Sequence, residues 1–552
     1  MLVIICLSYL LIGSTIDPDL DARLPAFGDY EMLPIIVHMK DQTGLALSSG
    51  DLSREEKVSY LQEFSASHQT GILDYVKRFN GQISDLRTYW IFNGFALKAT
   101  KHVIRQLSTH PDIDCIIGDG AVKLDDQRFD GPRNPEWNII KIGADTCWDL
   151  GYDGSGIIVG TIDTGVDTSH PALSGKFVPG GWFDAVNGQG APYDDNGHGT
   201  FSLGIICGGD GNGPFVDDIG VAPGVHYIAA KVFDAGGSGQ LTWLHSGLQW
   251  MATQDVDIIN NPWGIDHLSQ EFWTDCLNLH NLGITVVFAV GGGGPGSGTA
   301  AAPGNYPVVT GVGATDNADD VSSFSARGPA PDQPPWNDTT YWQRPDWNLT
   351  KPDIVAPGVN VRSSYNNGTY SVMSGTSLAT AHVTGAYAIL LQMDSLATNY
   401  VLYQVLLDYA DHPVQGEPYP NNDYGWGRVN VFAALQALSV AEYRRSPTSP
   451  STLNIAPNPF FGKLVISYSI GQRPKRFELK IYDASGRLVK DLAQSVNNSF
   501  DPGRLRPEGQ SPGNAVIWTG TDQNNRPVAA GAYFVELKAD GVCAIKKALF
   551  IH

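Results

Sequence analysis

The sequence predicts an α/β protein: a doubly wound, mostly parallel sheet, preceded by an N-terminal α+β domain and followed by a C-terminal all-β sandwich. Three observations predict it. Between residues 151 and 434, apolar runs of five to seven residues alternate with Gly-rich turns and helix-like segments, as in βα units whose strands are buried on both faces. Residues 32–119 read as strand, helix, strand, helix, a small domain of their own. Beyond a Pro- and Ser-rich linker at 446–451, short alternating runs are separated by turn dipeptides, which is the pattern of a sandwich.

The elements follow in order. Residues 2–13 form an apolar run of 12, shorter than the roughly 20 residues a bilayer demands but suited to the core of a signal peptide, so 1–15 reads as an export signal. No later run approaches a membrane span, and a product without a transmembrane anchor, secreted or held at the cell surface, is expected. The N-terminal domain takes 30–120. It holds the apolar run 34–39, a helix over 53–79 opened by the capping pair Ser53 and Glu56, a strand over 90–100, and a helix over 101–108 that stops before Pro111. The core takes 135–440, with strands expected at 157–162, 227–233, 256–259, 284–290 and 308–313. The sandwich takes 452–552, with strands at 464–469, 477–483, 515–518 and 532–538 and turns at Ser485-Gly486, Pro512-Gly513 and Asn524-Asn525.

Composition excludes several classes. The chain has 552 residues, 42% of them hydrophobic and only 17% charged, with 62 Gly and 34 Pro, so it is globular and loop-rich, neither disordered nor a coiled coil. A net charge of −21 removes the basic footprint that nucleic acid needs. Six cysteines without a CxxC pair give no zinc ribbon and no dense disulfide framework, although one or two bridges stay open. No HExxH word occurs among the 13 His.

The chemistry lies in three words. The run 157–162 leads directly into Asp163-Thr164-Gly165, placing a carboxylate at the carboxyl edge of a parallel sheet, where ligand sites of such folds gather. Asn196-Gly197-His198-Gly199-Thr200 sets an imidazole between glycines at the start of an apolar segment. Ser374-Gly375-Thr376-Ser377-Leu378-Ala379 puts Ser377 at a helix N-terminus, where unpaired amides and the helix dipole favour an oxyanion. Each word alone reads as structure: a turn-forming Asp, a packed His, an N-cap Ser.

Together these words resemble the subtilisin-like serine proteases, or subtilases (peptidase family S8), whose catalytic residues run in the order Asp, His, Ser. The likeness spans residues 135–435 and extends through Gly220-Val221-Ala222-Pro223-Gly224, Lys351-Pro352-Asp353-Ile354-Val355-Ala356-Pro357-Gly358 and Tyr424-Gly425-Trp426-Gly427-Arg428-Val429. It implies a subtilisin-like fold and a serine endopeptidase in which Ser377 attacks the scissile carbonyl, His198 carries the proton and Asp163 holds the imidazole. It implies that Gly237-Ser238-Gly239 and Trp263-Gly264 are edges that pair with an extended protein or peptide substrate. Residues 32–119, through the run 35–39 and Trp90-Ile91-Phe92-Asn93-Gly94-Phe95-Ala96-Leu97, resemble the family's inhibitory propeptide, with self-cleavage between Gly118 and Pro135.

The chain also departs from the pattern. Gly292 stands where the family has the Asn that donates to the oxyanion, leaving the Ser377 amide and the Thr376 hydroxyl, with a water or a neighbouring Asn such as Asn260 or Asn261 as the substitute donor. Loss of that donor in a subtilisin costs about 10²–10³ in kcat. Pro262 replaces a Ser in an expected pairing edge, and Phe201 and Ala381 replace a His and a Pro at helix positions. A catalytically weak or inactive surface scaffold on the same fold is therefore the alternative. No cofactor is required by this chemistry. The family's structural calcium would draw on Asp194 and Asp195 or on the acidic stretch 316–320.

The tail words Ala456-Pro457-Asn458-Pro459-Phe460, Ile481-Tyr482-Asp483-Ala484-Ser485-Gly486-Arg487 and Ala530-Gly531-Ala532-Tyr533-Phe534 resemble two modules. One is the C-terminal sorting domain of type IX secretion cargo, which implies that machinery as a partner. The other is the immunoglobulin-like module of flagellar-hook capping proteins, which implies adhesion.

Overall fold

The structure, a computed structural model, describes residues 15–42, 53–124, 127–129, 136–213, 215, 217–344, 346–439, 453–456, 464–468, 477–483, 487–492, 514–523, 526, 528–529, 531–539 and 542–550. The signal segment 1–14, the linker 446–451 and the three expected tail turns lie outside the described residues. The chain divides into two compact units, residues 1–45 with 58–443 and residues 46–57 with 444–552.

In the first unit, Asp17 accepts from the amides of Asp19 and Leu20 and so caps a short helix, α1 (Pro18–Arg23), with Pro18 in its first turn. This helix precedes the expected start of the N-terminal domain at residue 30. Ile16, Leu20 and Leu24 nevertheless join the apolar core of that domain. The domain continues through β1 (Met32–Met39), α2 (Arg54–Val76), β2 (Ile83–Tyr89), β3 (Gly94–Thr100), α3 (Lys101–Leu107) and β4 (Ile113–Gly118), with the antiparallel order β2-β3-β1-β4. The capping pair forms, Ser53 N donating to Glu56 Oε2 (2.8 Å) and Glu56 N to Ser53 Oγ (3.2 Å). Two strands lie outside the expected set: β2, whose apolar Ile83, Leu86 and Tyr89 recur every third residue and so break a strand's alternation, and β4. The first four residues of the strand expected at 90–100 form a turn instead, because Asn93 takes φ 42° and redirects the chain. Strand alternation in β1 sends Leu33, Ile35, Val37 and Met39 to the domain's own core, while Ile36 joins the larger core behind the sheet.

The larger core follows two short strands, β5 (Ala121–Lys123) and β6 (Gln127–Phe129). It comprises α4 (Trp137–Lys141), α5 (Ala144–Asp149), β7 (Ile158–Asp163), β8 (Phe177–Asp184), α6 (His198–Cys207), β9 (His226–Lys231), β10 (Ser238–Gln240), α7 (Leu241–Ala252), β11 (Ile258–Asn261), α8 (Trp273–Asn281), β12 (Thr285–Ala289), β13 (Thr310–Thr315), β14 (Ile354–Pro357), β15 (Val361–Tyr365), β16 (Thr369–Ser374), α9 (Thr376–Met393), α10 (Asn399–Asp408) and α11 (Val431–Ser439). Seven strands form one parallel sheet in the order β14-β13-β12-β11-β7-β9-β8. All five expected core strands are present, each within two or three residues of its expected bounds. β8 carries no continuous apolar run in the sequence, because Pro179, Gly180 and Gly181 interrupt it, and its register shifts between Phe177 and Trp182. The strand order reverses between β11 and β7, which opens a crevice at their carboxyl ends. Behind that crevice α9 is buried without interruption from Thr376 to Leu391, so its first turn cannot shift without disturbing the core.

The second unit contains two antiparallel sheets, β17 (Leu453–Ala456), β18 (Leu464–Tyr468) and β21 (Asn514–Trp518), and β20 (Leu488–Asp491), β19 (Phe477–Asp483), β22 (Gly531–Ala539) and β23 (Val542–Phe550). Leu464, Ile466, Leu479, Ile481, Trp518, Val535 and Leu537 form its core, as alternating inward positions require.

Candidate active site

β7 ends on Asp163, which is fully buried and accepts from the amide of Thr164 at 2.6 Å. His198 is the first residue of α6. Two glycines bring its ring to the carboxylate. Gly197 takes φ 105°, and a Cβ there would lie 2.4 Å from the Tyr365 ring; a Cβ on Gly199 would lie 2.1 Å from the carbonyl oxygen of Gly165. With this close approach, His198 Nδ1 stands 2.6 Å from Asp163 Oδ1. A carboxylate only accepts, so Nδ1 carries the proton and Nε2 of the neutral ring is left as the acceptor.

Asp194 ties these two segments together. Its Oδ1 accepts from Thr164 Oγ1 (2.9 Å), Asn196 N (3.1 Å) and Gly197 N (2.7 Å), and its Oδ2 from Thr200 N (2.9 Å) and Thr200 Oγ1 (2.7 Å). It thereby satisfies amides at the start of α6 that no earlier turn can pair. Asp195 receives the fully buried ammonium of Lys231 at 2.6 Å. At the other expected calcium position, Asp316 Oδ1 accepts from the amides of Ala318 and Asp320, and Asp319 pairs with Lys141 and Arg428. These carboxylates hold the protein's own donors, and among the described residues no group of three or more His, Cys, Asp or Glu is spaced to hold a metal ion. Cys115, Cys147, Cys207 and Cys276 are all free thiols.

Ser377 lies in the first turn of α9, at the same sheet edge, only 6% exposed. Its Oγ donates to the carbonyl of Pro262, just past β11, at 2.9 Å. α9 packs against α6, the helix that carries His198. Thr376 precedes Ser377 and is equally buried. Gly292 lies on an exposed stretch after β12. The expectation that Asn260 or Asn261 replaces the missing amide is not met. Asn260 donates to Thr161 (3.3 Å) and accepts from Thr384 (3.1 Å), and Asn261 donates to the carbonyls of Ile259 (3.2 Å) and Val287 (3.3 Å), so both serve the core.

The expected substrate edge is occupied by the chain itself. β10 pairs antiparallel with β5, setting Ser238 opposite Lys123 and Gly239 opposite Val122, and Leu124 N donates to the carbonyl of Gly237 at 2.9 Å. Val122 is buried while Ala121 and Lys123 face solvent, the period of a bound strand. A Cβ on Gly239 would lie 2.8 Å from the carbonyl of Val232, so this edge tolerates no side chain there. Beyond residues 125–126, which lie outside the described residues, β6 pairs with β16 and sets Gln127 opposite Ser374, three residues before Ser377. Trp263 is buried edge-on between Phe272 and Phe288, and a Cβ on Gly264 would lie 2.9 Å from Ala301 Cβ. The strap 121–129 thus pairs through residues 121–124 with β10 and through residues 127–129 with β16, and none of its described residues pairs with Trp263 or Gly264.

Sequence reasoning missed the polar contacts that seat the N-terminal domain. Asp119 accepts from Thr242 N (3.1 Å) and Thr242 Oγ1 (2.7 Å) at the start of α7. His38 Nε2 and His245 Nε2 both meet Glu271 Oε1, at 3.1 and 2.9 Å, and His245 Nδ1 meets Asp275 Oδ1 at 2.9 Å. Burial opposes the charge on His245, but the Asp275 and Glu271 carboxylates outweigh it and raise this imidazole to about 10. Burial likewise opposes ionisation of Glu271, and the two imidazoles outweigh it, holding the carboxyl down to about 2. The four residues are scattered from 38 to 275, and no local pattern reports their meeting.

Comparison with known proteins gives two family matches, the subtilase family over residues 154–427 and the peptidase inhibitor I9 family over residues 35–125. The chain is 32% identical over 432 residues to bacillopeptidase F of Bacillus subtilis, covering 70% of this chain and 29% of that protein's length. It is 29% identical over 411 residues to subtilisin E of Bacillus subtilis, covering 73% of this chain and 97% of the relative. It is 33% identical over 303 residues to subtilisin of Bacillus pumilus, covering 54% and 98%.

Proposed function

The chain belongs to the subtilase family of serine endopeptidases, and from that premise we propose that it hydrolyses protein or peptide substrates through Asp163, His198 and Ser377 after processing itself. The observation that carries this reading is the 2.6 Å hydrogen bond from His198 to Asp163, at the crevice where the strand order reverses. It fixes the tautomer whose Nε2 can accept a proton.

The chemistry follows from that tautomer. Rotation about the Ser377 Cα–Cβ bond frees Oγ from the Pro262 carbonyl. As Oγ attacks the substrate carbonyl carbon, its proton passes to His198 Nε2, and the negative charge on the carbonyl oxygen is met by the Ser377 amide and the Thr376 hydroxyl. His198 then protonates the leaving amine, which leaves an acyl-enzyme. Water repeats the sequence and releases the acid. In this reading all of these roles fall to side chains and amides of the chain.

The strap supports self-processing. One described stretch pairs with β10 and the other with β16, the strand that leads into Ser377, so we place the self-cleaved bond among the three that join Leu124 to Gln127. The N-terminal domain then acts as the chain's own inhibitor by filling the edge Gly237-Ser238-Gly239. The export signal at 1–15 and a C-terminal sandwich acting in type IX sorting or in adhesion complete a secreted or surface-held enzyme. Among the described residues no helix is long and apolar enough to cross a membrane.

A second reading, a weak or inactive scaffold, is favoured by one observation: Gly292 offers no amide side chain, and neither Asn260 nor Asn261 replaces it. Labelling with a fluorophosphonate separates the two. Processed wild type reacting while Ser377→Ala stays silent supports the peptidase; unreactive processed wild type supports the scaffold.

A further inference from the structure

Lys176 immediately precedes β8, and the ammonium of this half-buried residue donates to three main-chain carbonyls, those of Cys207, Gly209 (2.5 Å) and Pro223 (2.6 Å). An ammonium has three protons, and all three are used. The acceptors lie on two separate stretches of backbone and converge on one point, as carbonyl ligands converge on a bound cation. Cys207 is the last residue of α6, so the ammonium sits at the negative end of the helix whose first residue is His198. The loop is drawn in around it: Gly209 N donates to Ala172 O (3.0 Å) and Gly220 N to Gly208 O (2.7 Å). Asp218 Oδ1 accepts from the amides of Asp210 and Gly211. Burial lowers the pKa of Lys176, and the nearby Cys207, Asp210, Asp153 and Asp218 act against that shift.

We propose that the carbonyls of Cys207, Gly209 and Pro223 form a cation site that this chain fills with its own side chain, and that Lys176 is thereby a positioning residue for His198. Loss of the ammonium leaves three buried acceptors facing one another, the costly case of unmatched polar groups. The site accordingly takes a small N–H cation once the tether is cut. The cation site stands without the peptidase reading; only the positioning role rests on it.

The test uses the full chain in the Ser377→Ala background, where no self-digestion occurs. Lys176→Ala is expected to melt at lower temperature than its parent and to regain most of the loss in ammonium or ethylammonium chloride, but not in tetramethylammonium chloride at equal ionic strength. Lys176→Met keeps the stem, fills the cradle and is expected to melt low in all three salts; it decides the matter if Lys176→Ala does not fold. Equal recovery in tetramethylammonium, no recovery in any salt, or recovery of Lys176→Met in ammonium would overturn the cation site. In the active background, Lys176→Ala is expected to lose kcat by up to about 10²-fold with KM little changed, and ethylammonium to restore it. Melting that responds to the cations while kcat does not change would overturn the positioning role. A wild type that never reacts with fluorophosphonate removes the peptidase reading and leaves the melting result standing.

Discussion

His198 Nδ1 and Asp163 Oδ1 stand 2.6 Å apart, both side chains almost wholly buried, so the imidazole has one tautomer available in the folded protein. Asp163→Asn should reverse that preference, since an amide nitrogen donates where the carboxylate accepted. We expect kcat on a chromogenic tetrapeptide to fall by about 10⁴-fold, as the equivalent change does in another serine protease, with KM within a few-fold of wild type. A fall of less than tenfold would show that this pair does not set the proton path.

The exposed backbone at Gly292 predicts a gain. Gly292→Asn should raise kcat by about tenfold or more if the oxyanion lacks one donor, because such a donor accounts for about 10²–10³ in a subtilisin. Steady-state kinetics at saturating substrate read it directly. An unchanged kcat would mean that the Thr376 hydroxyl or a bound water already supplies the hydrogen bond.

The glycine after His198 predicts a loss. A Cβ at residue 199 falls 2.1 Å from the Gly165 carbonyl, a backbone atom that cannot move aside as a side chain would. Gly199→Ala, in the Ser377→Ala background, should lower stability by about 1–3 kcal/mol, the usual range for overpacking. Thermal melting measures it, and an unchanged midpoint would show that the two turns are free to separate.

The cluster that seats the N-terminal domain predicts a pH window. The His245 pKa is raised from 6.5 to about 10, so its contribution is complete below the ordinary imidazole value and is lost as pH rises towards 10. The Glu271 pKa is lowered from 4.5 to about 2, so its contribution is complete above 4.5 and is lost as pH falls towards 2. In the Ser377→Ala chain, the melting difference between parent and Glu271→Gln should therefore be largest between pH 4.5 and 6.5 and shrink on both sides. A difference that stays constant with pH would show that Glu271 acts through packing alone.

Self-processing predicts a new N-terminus. Sequencing the processed product should find its first residue at 125, 126 or 127, and Ser377→Ala should remain uncut. A start at 130 or beyond would mean that the strap is not the substrate of its own site.

By itself the sequence determined the three words that carry the chemistry and the alternation of strands and helices that supports them. Their signals are local: a buried parallel strand must be apolar, a turn needs Gly, and Ser377 opens a helix because its neighbours are small. It also determined Gly292 as a departure, since the absence of an amide is visible in one letter. The tertiary structure decided what depends on distance through space. It showed that Asn260 and Asn261 face the core, that Asp194 binds the start of α6, that the strap 121–124 lies on Gly237-Ser238-Gly239, and that His38, Glu271, His245 and Asp275 meet. It also added β2, β4 and β8: the apolar residues of β2 fall every third position, β4 is only six residues long, and Pro179, Gly180 and Gly181 break β8, so all three are ordered by their neighbours in the sheet. The physical reason is one of range: propensity and periodicity act over a few residues, whereas a hydrogen bond between side chains two hundred positions apart exists only once packing has brought both strands and helices into register.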